Sequence, residues 1–434
     1  MLKDMEAMKG ELTALAKIFE FHGYQRAGFG VNSKGGQQGA FKLPGARAKY
    51  RLGNEAEMYG EWELDANWIN PDHDGAWFKT AFMFALVTGR NGSFDAVPTG
   101  NTGVRQAYVE AGKLIDSQPD LTFWGGQRYY RRRDIHINDF FYQNTSSFGG
   151  GFYDLDVGFG KLAIAYLGGS SDAAVFDLGK LTRSLVDIRL YGIPIGSHTL
   201  EFWLLPTIGA ERPDNSDIPQ SGIAGGVFFL SPHLLGGFNE ASIQFGFAGA
   251  SDLGSDTGGG GLSTANKSGW KLRFVDRAAV QLTPTISIMW DGIFELDNAD
   301  GDACGGVVSA TTCSRGNIWA SFGARPVFML SKYFGFEVEG GLDITQSEVS
   351  GAPTLWLAKV TGAAIIRTGS GFFSRPELRL FVTGAFWADD AKCAATDSKG
   401  CVGGAVGDLS GGGGNPFAGD TAGATFGIQA ESWW

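Results

Sequence analysis

Cysteine is scarce in this 434-residue sequence, at four, and proline numbers only 14 against 67 glycines. Charged residues make up only 19%, and the basic share is the smaller one, 35 Lys and Arg against 46 Asp and Glu, for a net charge of −11. That balance excludes a general nucleic-acid binder, which needs basic charge to displace counterions. No run of about 18 apolar residues occurs, so no helix is expected to span a bilayer. Transmembrane barrels are not excluded, because alternation hides their hydrophobicity and keeps mean hydropathy near zero. Glycine has no three-residue period, so collagen is excluded. Catalytic signatures are missing too: there is no GxSxG, HExxH, Walker loop or dinucleotide fingerprint, and the five His are scattered. No enzyme, cofactor or metal site is expected. The first residues also lack the basic, apolar, small-residue order of a secretory signal. We read this as a mature or recombinant chain whose signal was removed.

What is present is 43% hydrophobic residues and a high aromatic content of 33 Phe, 12 Trp and 11 Tyr, which excludes a disordered chain. Much glycine, many aromatics and little charge predict many short strands joined by turns. Residues 1–19 differ. Met1, Met5, Met8, Leu12, Leu15 and Phe19 follow a four-three rhythm, which predicts a short amphipathic helix or a coiled-coil remnant. It is too short to be a stable helix alone.

From Glu20 onward the period is two. In Phe19–Val31, Phe19, Phe21, Phe29 and Val31 alternate with Glu20, His22, Tyr24 and Arg26. In Lys49–Leu64, Arg51, Glu55, Glu57, Tyr59, Glu61 and Glu63 alternate with Leu52, Ala56, Met58, Trp62 and Leu64. The same split recurs in Leu185–Tyr191, Phe336–Ile344, Glu377–Thr383 and Ala424–Trp434. Strand geometry puts the two sets on opposite faces. A soluble sandwich shows such faces as well, but here the pattern continues to the end with no helical layer to cover the apolar side. The expectation is an all-β protein: one domain over residues 20–434, a transmembrane antiparallel barrel of about 18 strands with a water-lined bore. Tight spacers alternate with long polar ones such as Ala210–Gly222, Ser251–Gly269 and Ala388–Gly423, as at the two rims of an outer-membrane barrel.

Cys304 and Cys313 share one polar spacer, and Cys393 and Cys401 another. Four cysteines allow three connectivities, and the local one closes the smallest loops. Disulfides suit a cell surface or periplasm. Zinc is disfavoured, because CxxC spacing and a nearby His are both missing.

Several large aromatics fall on the charged parity. Tyr24 is in phase with Arg26, Tyr59 with Glu61, Phe238 with Glu240, Phe373 with Arg379 and Trp433 with Glu431. The bland reading is an interfacial girdle or packing against an infolded loop. The functional reading is a stacking track, in which ring faces hold the C–H face of a sugar while Arg and carboxylates bind its hydroxyls. Carboxylate pairs such as Glu55 and Glu57 are better read as solvated wall charges than as an acid–base couple.

The blocks FHGYQRAG (21–28), AKYRLGNEAEMYGE (48–61), WGGQRYYRRRDIHINDFFY (124–142), DVGFGKL (156–162), LLGGFN (234–239), SRPELRLF (374–381) and TFGIQAESWW (425–434) resemble, in order, the maltoporins, the sugar-specific porins of bacterial outer membranes. The resemblance implies an 18-stranded barrel in the outer membrane, a homotrimer, and facilitated diffusion of maltodextrins or similar oligosaccharides. It places Tyr24, Tyr59, Phe238, Phe373 and Trp433 on the family's aromatic slide. Phe94, in NGSFDAVP, stands for the aromatic reaching into a neighbouring subunit. The polar track maps to Arg26, Arg51, Glu61, Arg105, Arg132, His136 and Asp139. Arg131–Tyr142 resembles the inward-folded loop that narrows the pore. There are departures: Phe141 stands for a constriction Tyr, Asn144 for an Asp and Phe373 for a Trp, while Ala40 and Ala56 replace an early loop disulfide. The N-terminal stub is similar to the coiled coil that precedes the barrel in sucrose-porin relatives. The alternatives are a non-selective diffusion porin and a surface receptor barrel.

Overall fold

The computed structural model describes residues 17–55, 57–88, 101–170, 182–209, 221–254, 268–298, 317–348, 352–392, 416–417 and 419–434. Eighteen strands close into one antiparallel barrel. They are β1 (Phe19–Asn32), β2 (Met58–Ile69), β3 (Trp77–Thr88), β4 (Asn101–Gly112), β5 (Thr122–Arg128), β8 (Ser147–Asp156), β9 (Lys161–Ser170), β10 (Thr182–Ile195), β11 (His198–Gly209), β12 (Gly222–Leu234), β13 (Gly237–Ala248), β14 (Trp270–Thr283), β15 (Ile286–Asn298), β16 (Asn317–Met329), β17 (Phe334–Ser347), β18 (Thr354–Arg367), β19 (Glu377–Trp387) and β20 (Ala422–Trp433). Each strand pairs with its sequence neighbours, and β1 pairs with β20 from Tyr24↔Trp433 to Asn32↔Thr425, so no edge is left open. The remaining two strands, β6 (Arg133–Ile135) and β7 (Phe140–Gln143), form a small separate sheet.

The barrel is apolar outside and polar inside. On β18, Trp356, Val360 and Ile366 are exposed while Lys359, Thr361 and Arg367 are buried. On β19, Leu378, Leu380 and Val382 are exposed, and Glu377, Arg379 and Thr383 are buried. An exposed apolar band over a fully paired closed sheet is the arrangement a hydrocarbon solvent demands.

The rims differ in length. One carries turns as short as Gly196–Ser197 and Leu235–Gly236. Leu235 and Gly236 have φ of 46° and 74°, the two positive values that a tight hairpin matching strand twist requires. The opposite rim carries the segments between β1 and β2, β5 and β8, and β19 and β20, among others. Two of these fold into the bore. In 129–146, Ile135, Ile137 and Tyr142 are fully buried, and Phe140 meets Trp319 edge-on at 5.0 Å. In 33–57, Phe41, Leu43, Tyr50 and Leu52 are buried. Arg51 N–H donates to the Ile137 carbonyl at 2.9 Å and ties the two infolds together. The hydrophobic core therefore lies inside the barrel, between loops and wall.

Two expectations need correction. The strand expected over Lys49–Leu64 begins only at Met58, and Leu52, placed by parity on the lipid side, is buried inside the bore. Its neighbours explain this: Lys359 Nζ and Thr361 Oγ1 donate to the Leu52 carbonyl at 2.5 and 3.0 Å. The N-terminal helix expected over 1–19 lies outside the described residues up to residue 16. Lys17 and Ile18 are helical, and Phe19 already belongs to β1. Phe94, Ala56 and the four cysteines Cys304, Cys313, Cys393 and Cys401 also lie outside the described residues.

Candidate functional site

The 129–146 infold is strapped to the wall through charge-assisted bonds, which are stronger than neutral ones. Arg133 donates to Glu240 at 2.8 Å, Arg277 to the Asp134 carbonyl at 2.7 Å and Arg273 to the Tyr142 carbonyl at 2.8 Å. Tyr142 also donates to Glu240. Opposite this infold, β1, β2 and β20 present their polar faces. Between them is a cavity of about 410 Å³ lined by Tyr24, Arg26, Arg51, Tyr59, Glu61, Arg132, Asp134, His136, Asp139, Phe141 and Trp433.

Rings form a continuous row along it. Tyr59 and Tyr24 lie 6.0 Å apart, and Tyr24 and Trp433 stack at 6.3 Å and 21°. His136 meets Trp433 edge-on at 5.6 Å and Phe373 at 5.7 Å. Guanidiniums flank the rings: Arg26 is 5.0 Å from the Tyr59 centroid and Arg375 is 4.2 Å from that of Trp433.

A polar network runs beside the row. Tyr24 hydroxyl accepts from Arg51 at 2.8 Å and Arg26 at 3.2 Å, and donates to Glu431 at 3.0 Å. Arg51 also pairs with Glu55 at 3.0 Å, and Arg26 with Glu57 at 2.7 Å. Tyr59 and Tyr129 both donate to Glu61, at 2.5 and 2.7 Å. Arg132 is stacked between Tyr129 and Phe141, at 3.4 and 4.8 Å from the ring centroids.

Burial pushes the Glu55 carboxyl up, but Arg26 and Arg51 outweigh it and hold it below the usual carboxylate range. Burial also pushes the His136 imidazole well below its usual range, and Arg51 and Arg375 act the same way. His136 is therefore a neutral ring in the row. Asp139 is pushed up by burial, with Arg51 opposing.

The structure gathers ten of the expected residues at one cavity: Tyr24, Arg26, Arg51, Tyr59, Glu61, Arg132, His136, Asp139, Phe141 and Trp433. Phe373 borders it through His136, from the turn before β19 rather than from a strand. Phe238 does not join the row, and lies on β13 with Arg277 5.2 Å from its ring centroid. Arg105 is exposed at the register shift between β3 and β4, and does not line the cavity. Sequence reasoning missed Asp134, Phe372 and Arg375. Phe372 meets Phe373 edge-on at 5.1 Å. The blocks RRRDIH and SRPELRLF held the two charged residues, but only the loop geometry brings Arg375 to Trp433.

A closed, lipid-facing barrel with a charged, ring-lined bore defines the chain as an outer-membrane channel protein. The family described as LamB porin, the maltoporin family, matches residues 19–434, and the chain belongs to it. Among solved structures, Salmonella typhi OmpF in complex with daunomycin is similar at 8% identity and a TM-score of 0.46, covering 95% of this chain and 97% of that one. Pseudomonas aeruginosa OccD3 is similar at 6% and 0.43, covering 96% and 91%. The trimer form of Vibrio cholerae OmpT is similar at 9% and 0.41, covering 96% and 99%. At these TM-scores the likenesses add nothing to what the barrel closure and the family match establish.

Proposed function

We propose that the channel is selective for oligosaccharides, maltodextrins or similar glycans, and works as a homotrimer with one bore per subunit. The observation that supports this best is the row Tyr59–Tyr24–Trp433–His136 along one 410 Å³ cavity, extended by Phe373, with Arg26 and Arg51 on the same cavity and Glu55 and Glu431 bonded behind them. A pyranose offers an apolar C–H face to the rings and hydroxyls to the guanidiniums and carboxylates. Each ring holds the sugar weakly, so it advances from ring to ring down its gradient. Arg132, clamped against Phe141, sets the width opposite the row. Phe238 and Arg105 take part further along the path, and Phe94 contributes from a neighbouring subunit.

Planar-bilayer recording tests this. Maltodextrin should block ion current in the wild type, and Tyr59→Ala or Trp433→Ala should raise the half-blocking concentration. Unchanged block in both variants would remove the ring row from transport. Equal liposome swelling with sugars of one size and different stereochemistry would favour a non-selective pore.

A further inference from the structure

At the short-turn mouth of the bore, one group of side chains lies outside the lining of the ring-lined cavity. Glu20 and His22 sit on β1, on the face that carries Tyr24, and Asp65 and Asn67 sit opposite on β2. Glu20 faces Asp65 in the ladder, and His22 faces Glu63. A carboxylate oxygen of Glu20, one of Asp65 and a ring nitrogen of His22 all lie within 4.8 Å of one another. His22 Nε2 and Glu20 Oε2 are 3.3 Å apart. Two ligands about 2.0–2.1 Å from a tetrahedral ion are separated by about 3.3 Å, so this edge of a coordination shell is already formed.

A second observation points to a ligand. Asp65 and Asn67 are each only 2% exposed, yet among the described residues Asp65 Oδ1 and Asn67 Oδ1 have no hydrogen-bond partner. Buried polar atoms without partners are costly. The other Asp65 oxygen accepts from Lys79 at 3.0 Å, and the Asn67 amide donates to Glu20 at 2.9 Å. Both side chains are thus anchored at the cluster, each with one oxygen left over. Among the described residues the one Lys or Arg ion pair made by Glu20, Glu63 and Asp65 is that of Asp65 with Lys79, which Lys79 shares with Glu110, and this leaves negative charge for a divalent ion.

We propose that Glu20, His22 and Asp65 bind a divalent transition-metal ion of the zinc type at the short-turn mouth of the channel. One imidazole with two carboxylates suits zinc and its neighbours rather than calcium or magnesium, which prefer oxygen alone. Asn67 Oδ1 or water supplies the fourth position. The half-exposed Glu20 and His22 leave the ion accessible from the aqueous mouth.

Calorimetric titration of the detergent-solubilised full chain with zinc chloride tests this. The wild type should show one saturable site. His22→Ala should weaken it by roughly tenfold or more, the scale on which altered shells lower metal affinity. Lys79→Gln removes the competing cation from Asp65 and should tighten binding, an effect that a damaged fold cannot imitate. Circular dichroism of each variant checks that the barrel is formed. No saturable binding by the folded wild type up to about 1 mM zinc, where even a millimolar site registers, overturns the site. A His22→Ala isotherm superimposable on that of the wild type does the same.

Discussion

Replacing Gly341 by Ala on β17 should loosen the first infolded segment and widen the bore. A Cβ at Gly341 would lie 2.1 Å from Tyr50 Cδ2, and one at Gly323 on β16 would lie 2.0 Å from Cε1 of the same ring. The two glycines are thus the seat of Tyr50, which is 1% exposed and shares hydrogen bonds with Ser321 at 2.9 Å and Asp291 at 3.3 Å. Forcing a methyl under the seated ring costs about 1–3 kcal/mol of overpacking. Lifting the ring instead gives up its burial and its hydroxyl bonds, on the order of 2–4 kcal/mol together. Either way the docked state loses about 2 kcal/mol, roughly a thirtyfold change in its ratio to the undocked state. The neighbouring Leu52 carbonyl would keep its bonds from Lys359 and Thr361, and Arg51 its bond to Ile137, so the segment loosens around Tyr50 without leaving the wall. The assay is single-channel recording of the full-length protein, and the expected result is larger and noisier conductance with weaker sugar block. Gly340→Ala, on the adjacent residue where an added Cβ meets nothing within 4 Å, is the control and should match the wild type. Gly341→Ala traces indistinguishable from those of Gly340→Ala would refute the seating argument.

The acid side of the stability profile should show two separate losses. The folded-state pKa of His136 is depressed below the ordinary value of about 6.5, so its contribution is complete above that pH and fades as pH falls and the unfolded chain takes up the proton. Glu55, also depressed, contributes above its unfolded value of about 4.3 and is lost at lower pH still. Thermal melts of His136→Gln should lack the upper step and keep the lower one. On the outer face, Leu380→Arg should destabilise the barrel by about 2–4 kcal/mol if the side chain sits at mid-bilayer, as measured by refolding into vesicles.

Much of the barrel was legible because the face a strand residue takes is a matter of parity. The assignment of Glu337, Glu339 and Asp343 to one side of β17 and Phe336 and Leu342 to the other needs only a period of two. Parity fails where the chain stops being a strand. Leu52 continues the alternation of β2 in the sequence, yet it sits in a loop that turns inward, and the bonds that hold it come from β17 and β18, hundreds of residues away. Phe373 is in phase with Arg379 only by counting through a turn. Parity is also silent on position around the circumference. Phe238 faces inward as expected, but it stands away from the row that Tyr24 and Trp433 share. Arg375 and Asp134 escaped notice because their places depend on how an infolded loop meets a rim turn.

The row of rings has its centre at the join between the first and last strands, where Tyr24 is paired with Trp433. A partly zipped cylinder, however much sheet it has made, lacks that stack altogether. Ligand capture, or quenching of the penultimate indole by its new neighbours, is therefore a clock for the final hydrogen-bonded seam during assembly, a moment that total β-content cannot register.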